Sequence, residues 1–261
     1  MSRTIVSVLL LFAAGIAAAA TAGEEPGGYR ALLFLHQLLF VFWLGPDIGI
    51  YMWGTKAGNP ELSLAQRAAA ARIMRVIDII PKVCMSLMLT VGGLLTELKG
   101  IEHPWWQMAG IILLGPVWLT LTLATYVRAG TEAGPKIANL DEQFRWLVIV
   151  VVVISVIYST VTGRLEDFPW VNAKILLFAA VVFFGIMVRR RLAPFNSAVE
   201  RLTESADTDA LNGELAKGIS GSRPFVIATW LALAMAAGLG TFQPGTPESA
   251  EEASTAVSQQ G

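Results

Sequence analysis

Residues 30–54 read RALLFLHQLLFVFWLGPDIGIYMWG, and this stretch decides the fold. It is about 37 Å long as a helix at 1.5 Å per residue, enough to cross a hydrocarbon core about 30 Å thick. Its apolar residues show no alternation of period two, so a strand is excluded, and an open sheet could not satisfy its backbone in lipid. Five further runs of the same kind follow, over about 74–97, 105–127, 146–163, 169–189 and 223–242. The chain is 54% hydrophobic and 15% charged, with a mean hydropathy of +0.59. The expected architecture is an all-α polytopic membrane bundle of six transmembrane helices, forming one domain over 23–242.

Three segments lie outside that bundle. Residues 1–22 carry Arg3, then the apolar IVSVLLLFAAGIAAAA, then Ala20-Thr21-Ala22, which reads as a cleavable signal peptide. A retained first helix is the alternative. Residues 192–219 carry Phe195, Val199, Leu202, Leu211 and Leu215 at helical spacing, broken at 205–208. They predict one or two short amphipathic helices on the cytoplasmic surface. Residues 243–261 are polar and acidic and read as a disordered tail.

Lysine and arginine set the orientation. Loop 55–73 holds Lys56, Arg67 and Arg72; loop 128–145 holds Arg128, Lys136 and Arg145; segment 190–222 follows Arg189, Arg190 and Arg191. The opposite loops hold little more than Lys99 and Arg164. The basic loops are therefore expected in the cytoplasm of a bacterial inner membrane, with the mature N-terminus and the tail outside. Pro104, Pro169 and Pro224 are expected to open helices, where a missing N–H costs nothing.

Ionisable groups inside spans are costly and usually face a bundle interior. His36, Phe40, Trp43 and Asp47 recur at four, three and four residues, so they share one helix face. His36 lies roughly 9 Å and Lys174 roughly 8 Å below the outer edge, counted from Arg30 and Pro169. Thr90 and Tyr158 can reach that level. Asp47 and Lys82 lie in the inner half and predict an intramembrane ion pair, structural or part of a proton path.

Two readings of the outer level stay open. His36 is an axial ligand for haem iron, with Lys174 pairing a propionate or ligating in its neutral form. Otherwise His36 is a hydrogen-bonded core residue and Lys174 snorkels to the interface. Cys84, Met85 and Met88 form either a soft copper site or ordinary apolar packing. His103 reads as a solvated loop residue. No P-loop, glycine-rich dinucleotide fingerprint, nucleophile elbow or zinc ribbon occurs.

Leu35-His36, Trp43 and Gly45 resemble the opening helix of the CopD and HemJ-type membrane proteins. The second span, with its basic amphipathic start leading to Pro81, resembles the second HemJ helix. Trp170, Lys174 and Arg189 to Arg191 resemble a later one. The resemblance covers about 90 residues in three spans; the third and fourth spans would be an insertion, and two extra crossings preserve topology. It implies haem b, with His36 as the iron ligand, Trp43 beside the cofactor and Lys174 as the catalytic partner. For the CopD side it implies copper uptake or tolerance. Whether the protein is an enzyme is left open, and a non-catalytic subunit of a larger complex is a third reading. The expected partners are the bilayer and an electron-transfer or membrane-complex protein, with a homo-oligomer allowed and no nucleic acid.

Overall fold

The computed structural model describes residues 28–202 and 208–247. The signal-peptide reading of 1–22 and the tail beyond 247 lie outside the described residues, as does most of the break at 205–208. Eight helices are found among the described residues: α1 (Gly28–Ala57), α2 (Leu64–Ile77), α3 (Ile79–Leu98), α4 (Trp105–Val127), α5 (Gly134–Val161), α6 (Pro169–Arg191), α7 (Ala193–Glu200) and α8 (Thr208–Phe242). Six of the helical stretches are long and apolar enough to cross a membrane. The protein is an all-α polytopic membrane bundle.

The six long helices alternate in direction and close into a ring. α3 packs on α1, α4 on α3, α5 on α4, α6 on α5 and α8 on α6, and α8 returns to α1. Short loops force sequential helices to be antiparallel neighbours, and the α8–α1 contact seals the bundle. Trp230 of α8 makes that seal. Its Nε1 donates to Asp47 at 2.8 Å, and its ring meets Tyr51 edge-on at 5.7 Å. At the centre Trp118 is fully buried, with Phe144 and Phe178 edge-on to it at 5.8 and 6.2 Å.

Hydropathy located the spans but not the ends of their helices. α1, α5 and α8 have 30, 28 and 35 residues, about 42–53 Å at 1.5 Å each. They outrun a 30 Å core, and in α5 and α8 the excess is at the end that carries the basic loops. Loop 55–73 contains most of α2, opened by a capping box in which Ser63 accepts from the Gln66 backbone and Gln66 reaches back to Ser63. Loop 128–145 is mostly the first three turns of α5, with Pro135 at its N-terminus. Pro224 does not open a helix: α8 runs through it from Thr208. Pro81 does act at a break, since it lacks the donor for the Ile77 carbonyl, where α2 stops.

The 192–219 segment forms the expected amphipathic helices, and their apolar stripe is packed inside the protein. α7 and the start of α8 pack together and on α2, so that Phe195, Leu202, Leu211 and Leu215 are buried with Ala57, Ala71 and Met74. Buried Arg67 ties the cap together, donating from Nε to the Ala57 carbonyl (3.0 Å) and from Nη1 to Asn212 (2.9 Å). Gly218 permits the closest approach: a Cβ there would lie 2.6 Å from Phe195 Cβ and 3.0 Å from its backbone nitrogen. Backbone cannot yield as a flexible side chain does. Gly218→Ala is expected to cost about 1–3 kcal/mol through overpacking, read as a lower melting temperature in detergent. An unchanged melting point would mean that α7 is not docked.

Candidate functional site

At the end opposite the basic loops, His36 falls on the buried stripe of α1 with Leu32, Leu39 and Trp43. Its ring presses on Gly92 of α3, where a Cβ would sit 3.3 Å from His36 Cε1 and 3.9 Å from Nδ1. A Cβ at position 92 would push the ring by a few tenths of an ångström. His36 Nδ1 is buried and has no hydrogen-bond partner among the described residues. An unmade hydrogen bond on a buried group costs about 1–3 kcal/mol.

Lys174, five residues into α6, is close enough to His36 to act on it electrostatically. It makes no ion pair or hydrogen bond among the described residues, and its Nζ lies 5.7 Å from the centre of the Trp170 ring. Across from it is Gly240 of α8, whose Cβ would lie 2.6 Å from Lys174 Nζ. Lys99, at the end of α3, brings a second ammonium 5.3 Å from the same ring and hydrogen-bonds Gln243. The ring faces offset part of the repulsion. The cluster is one imidazole and two ammoniums, and among the described residues no carboxylate is in direct contact with Lys174. Chemically it can ligate a metal through nitrogen and attract an acidic group.

Two residues expected at this level point elsewhere. Thr90 is inserted into α4 instead: it accepts from the Gly115 N–H (2.9 Å) and donates to the Ile111 carbonyl (2.6 Å). It thereby occupies the turn that Pro116 weakens. Tyr158 is on the outer surface, edge-on to Trp106 at 5.9 Å. Trp43 is two turns along α1 from His36, packed edge-on to Phe178 at 6.2 Å and lining a cavity nearer the basic end. His103 is not solvated: its Nδ1 meets the Glu97 carboxylate at 2.7 Å and its side chain is buried. Cys84 and Met85 are core residues, and the Met85 sulfur faces Arg145 Nη1 at 3.6 Å. No group of three or more His, Cys, Asp or Glu is placed to hold a metal among the described residues.

The inner ion pair differs from the expected one. Lys82 pairs with Asp78, four residues before it on the same helix face, while Asp47 is turned toward α8 and accepts from Trp230. Matching depth brought Asp47 and Lys82 to one cavity, but depth carries no information on rotation about the helix axis. The strongest charge cluster escaped the sequence altogether. Fully buried Asp141 accepts from Arg145 Nε at 2.9 Å and from Arg189 Nη2 at 2.8 Å, and beside it Glu142 meets Arg190. The Asp141–Arg145 spacing of four was the available signal, hidden because 128–145 read as loop.

No family model, no curated protein and no solved structure matches this chain.

Proposed function

We propose that this is a redox protein of the bacterial inner membrane that holds a haem in the outer half of its bundle through His36 and Lys174. The observation that carries the reading is the buried His36 imidazole, whose Nδ1 has no hydrogen-bond partner among the described residues, beside a lysine that makes no ion pair or hydrogen bond among them. Each side chain is seated against a glycine of a facing helix. Gly92 and Gly240 let helix backbone come close to the two side chains, so that His36 and Lys174 each stand between facing helices. Bundles place cofactors on facing helices in this way.

The residues fit a haem. His36 supplies the imidazole nitrogen for iron, and Lys174 and Lys99 supply the charge for the propionates. Bound haem supplies one-electron chemistry. The chain's own part is to fix the imidazole by packing rather than by a hydrogen bond from Nδ1, the more common arrangement at metal sites. The bias of lysine and arginine to one end supports an orientation with the basic loops in the cytoplasm and this cluster toward the outside.

The test is haem content. Protein purified in a neutral detergent from a haem-replete bacterial host is expected to carry a Soret band that His36→Ala removes. Absence of the band from the unaltered protein, or a band that survives in His36→Ala, overturns the reading.

A further inference from the structure

We infer that the cavity toward the basic end is a second binding site, taking an amphipathic anion by its acidic head. The head is a carboxylate or phosphate, and the body is apolar. The cavity lies between α1, α3, α6 and α8 and measures about 210 Å³. A void of about 150 Å³ holds a benzene ring, whereas pockets that enclose a whole ligand run to about 300–1,000 Å³. This one therefore takes a head group and the first few carbons, and the remainder of the ligand projects out.

The charge points to an anion. Arg145 lines the cavity and is only 4% exposed. Its Nε and Nη2 are turned to Asp141, but among the described residues Nη1 meets nothing better than the Met85 thioether at 3.6 Å. Thioether sulfur is a weak acceptor, so a buried guanidinium keeps a strong donor without an oxygen. The cavity is lined by Arg75, Lys82, Arg145 and Arg189 against Asp47 and Asp78. Asp141, behind the wall, is shared by Arg145 and Arg189. Four cations then face three carboxylates, and one positive charge is left over. Exposed Arg75 makes no ion pair among the described residues and stands where a head group would enter. Trp43, Val181 and Val226 give the apolar wall.

Gly185 makes the inference testable. It lines the cavity, and a Cβ built on it meets nothing within 4 Å. Gly185→Leu therefore branches into the cavity from a Cβ that meets nothing within 4 Å, and it exchanges a poor helix former for a good one; a ligand-free melting temperature no lower than that of the unaltered chain is the check that the variant folds. The probe is decyl phosphate, added to the purified protein in decyl maltoside, with inorganic phosphate as the head-only control. The expected result is a saturable rise in melting temperature with decyl phosphate and a far smaller one with phosphate. Gly185→Leu abolishes the rise, and Arg75→Gln weakens half-saturation about tenfold, the loss of one charge-assisted contact. Native mass spectrometry separates the two sources of such an anion. Anionic phospholipid that stays on the unaltered protein and is lost from Gly185→Leu assigns a lipid head group. Decyl phosphate binding to a protein that arrives lipid-free assigns a water-borne amphiphile. No saturable shift, or the same shift in Gly185→Leu, overturns the inference. The site is independent of the haem proposal, since neither readout involves a Soret band.

Discussion

Asp141→Asn is expected to lower stability by about 3–5 kcal/mol, the cost of breaking a buried ion pair from one side. Asp141 has no exposed surface and serves two guanidiniums, Arg145 at 2.9 Å and Arg189 at 2.8 Å. The partners differ in their escape routes. The Arg189 side chain is about a third exposed and can turn to water, while that of Arg145 is 5% exposed and lies 5.6 Å from the Trp118 ring. An amide at 141 is neutral and offers one acceptor where two were needed, so Arg145 is left buried and charged without its carboxylate. The guanidinium cannot relieve this by losing a proton. The check is thermal unfolding in one detergent, with the yield of folded protein alongside. A double change, Asp141→Leu with Arg145→Met, is expected to recover most of the loss, because well-packed apolar replacements of a buried pair are often neutral or better. Asp141→Asn protein that melts within a degree of the unaltered chain would show that Arg145 reaches another anion or water.

The second large effect separates a ligand from a core residue at position 36. In haem-depleted protein, His36→Leu is expected to raise stability by about 1–3 kcal/mol, since it removes a buried polar atom, Nδ1, that has no partner among the described residues. Leucine is close in size and continues the apolar stripe of Leu32 and Leu39. The same change is expected to abolish haem binding. Stability and function thus move in opposite directions, as they do where a site is kept for its ligand at the expense of the fold. A core histidine that holds helices together would behave otherwise, and a variant melting below the haem-depleted parent would identify it as one.

The fold was legible in the sequence because lipid demands long apolar runs, and nothing else in the chain has that length. The ends were not legible. Glu142, Arg145, Arg67 and Lys217 belong to helices that continue beyond the apolar zone, and charge there reads as loop. Ser63 and Gln66, as a capping box, and Pro135, at the first turn of α5, were the local signs of those continuations. At the candidate site, His36 and Lys174 stood out because ionisable groups are rare in spans. Gly92, Gly240 and Lys99 did not, since they come from other helices and matter only by what they face. Asp47 and Lys82 show the limit of counting depth. They share a level and a cavity, yet Trp230 and Asp78 are their partners, settled by rotational phase and by helix neighbours that no single span records.

Reduced-minus-oxidised difference spectroscopy of the purified protein tests the central claim most directly, applied in parallel to His36→Leu and Lys174→Met. The account predicts a haem difference spectrum in the unaltered protein, none in His36→Leu, and a weakened or shifted one in Lys174→Met. A featureless difference spectrum in the unaltered protein, or the same spectrum in all three, would contradict it.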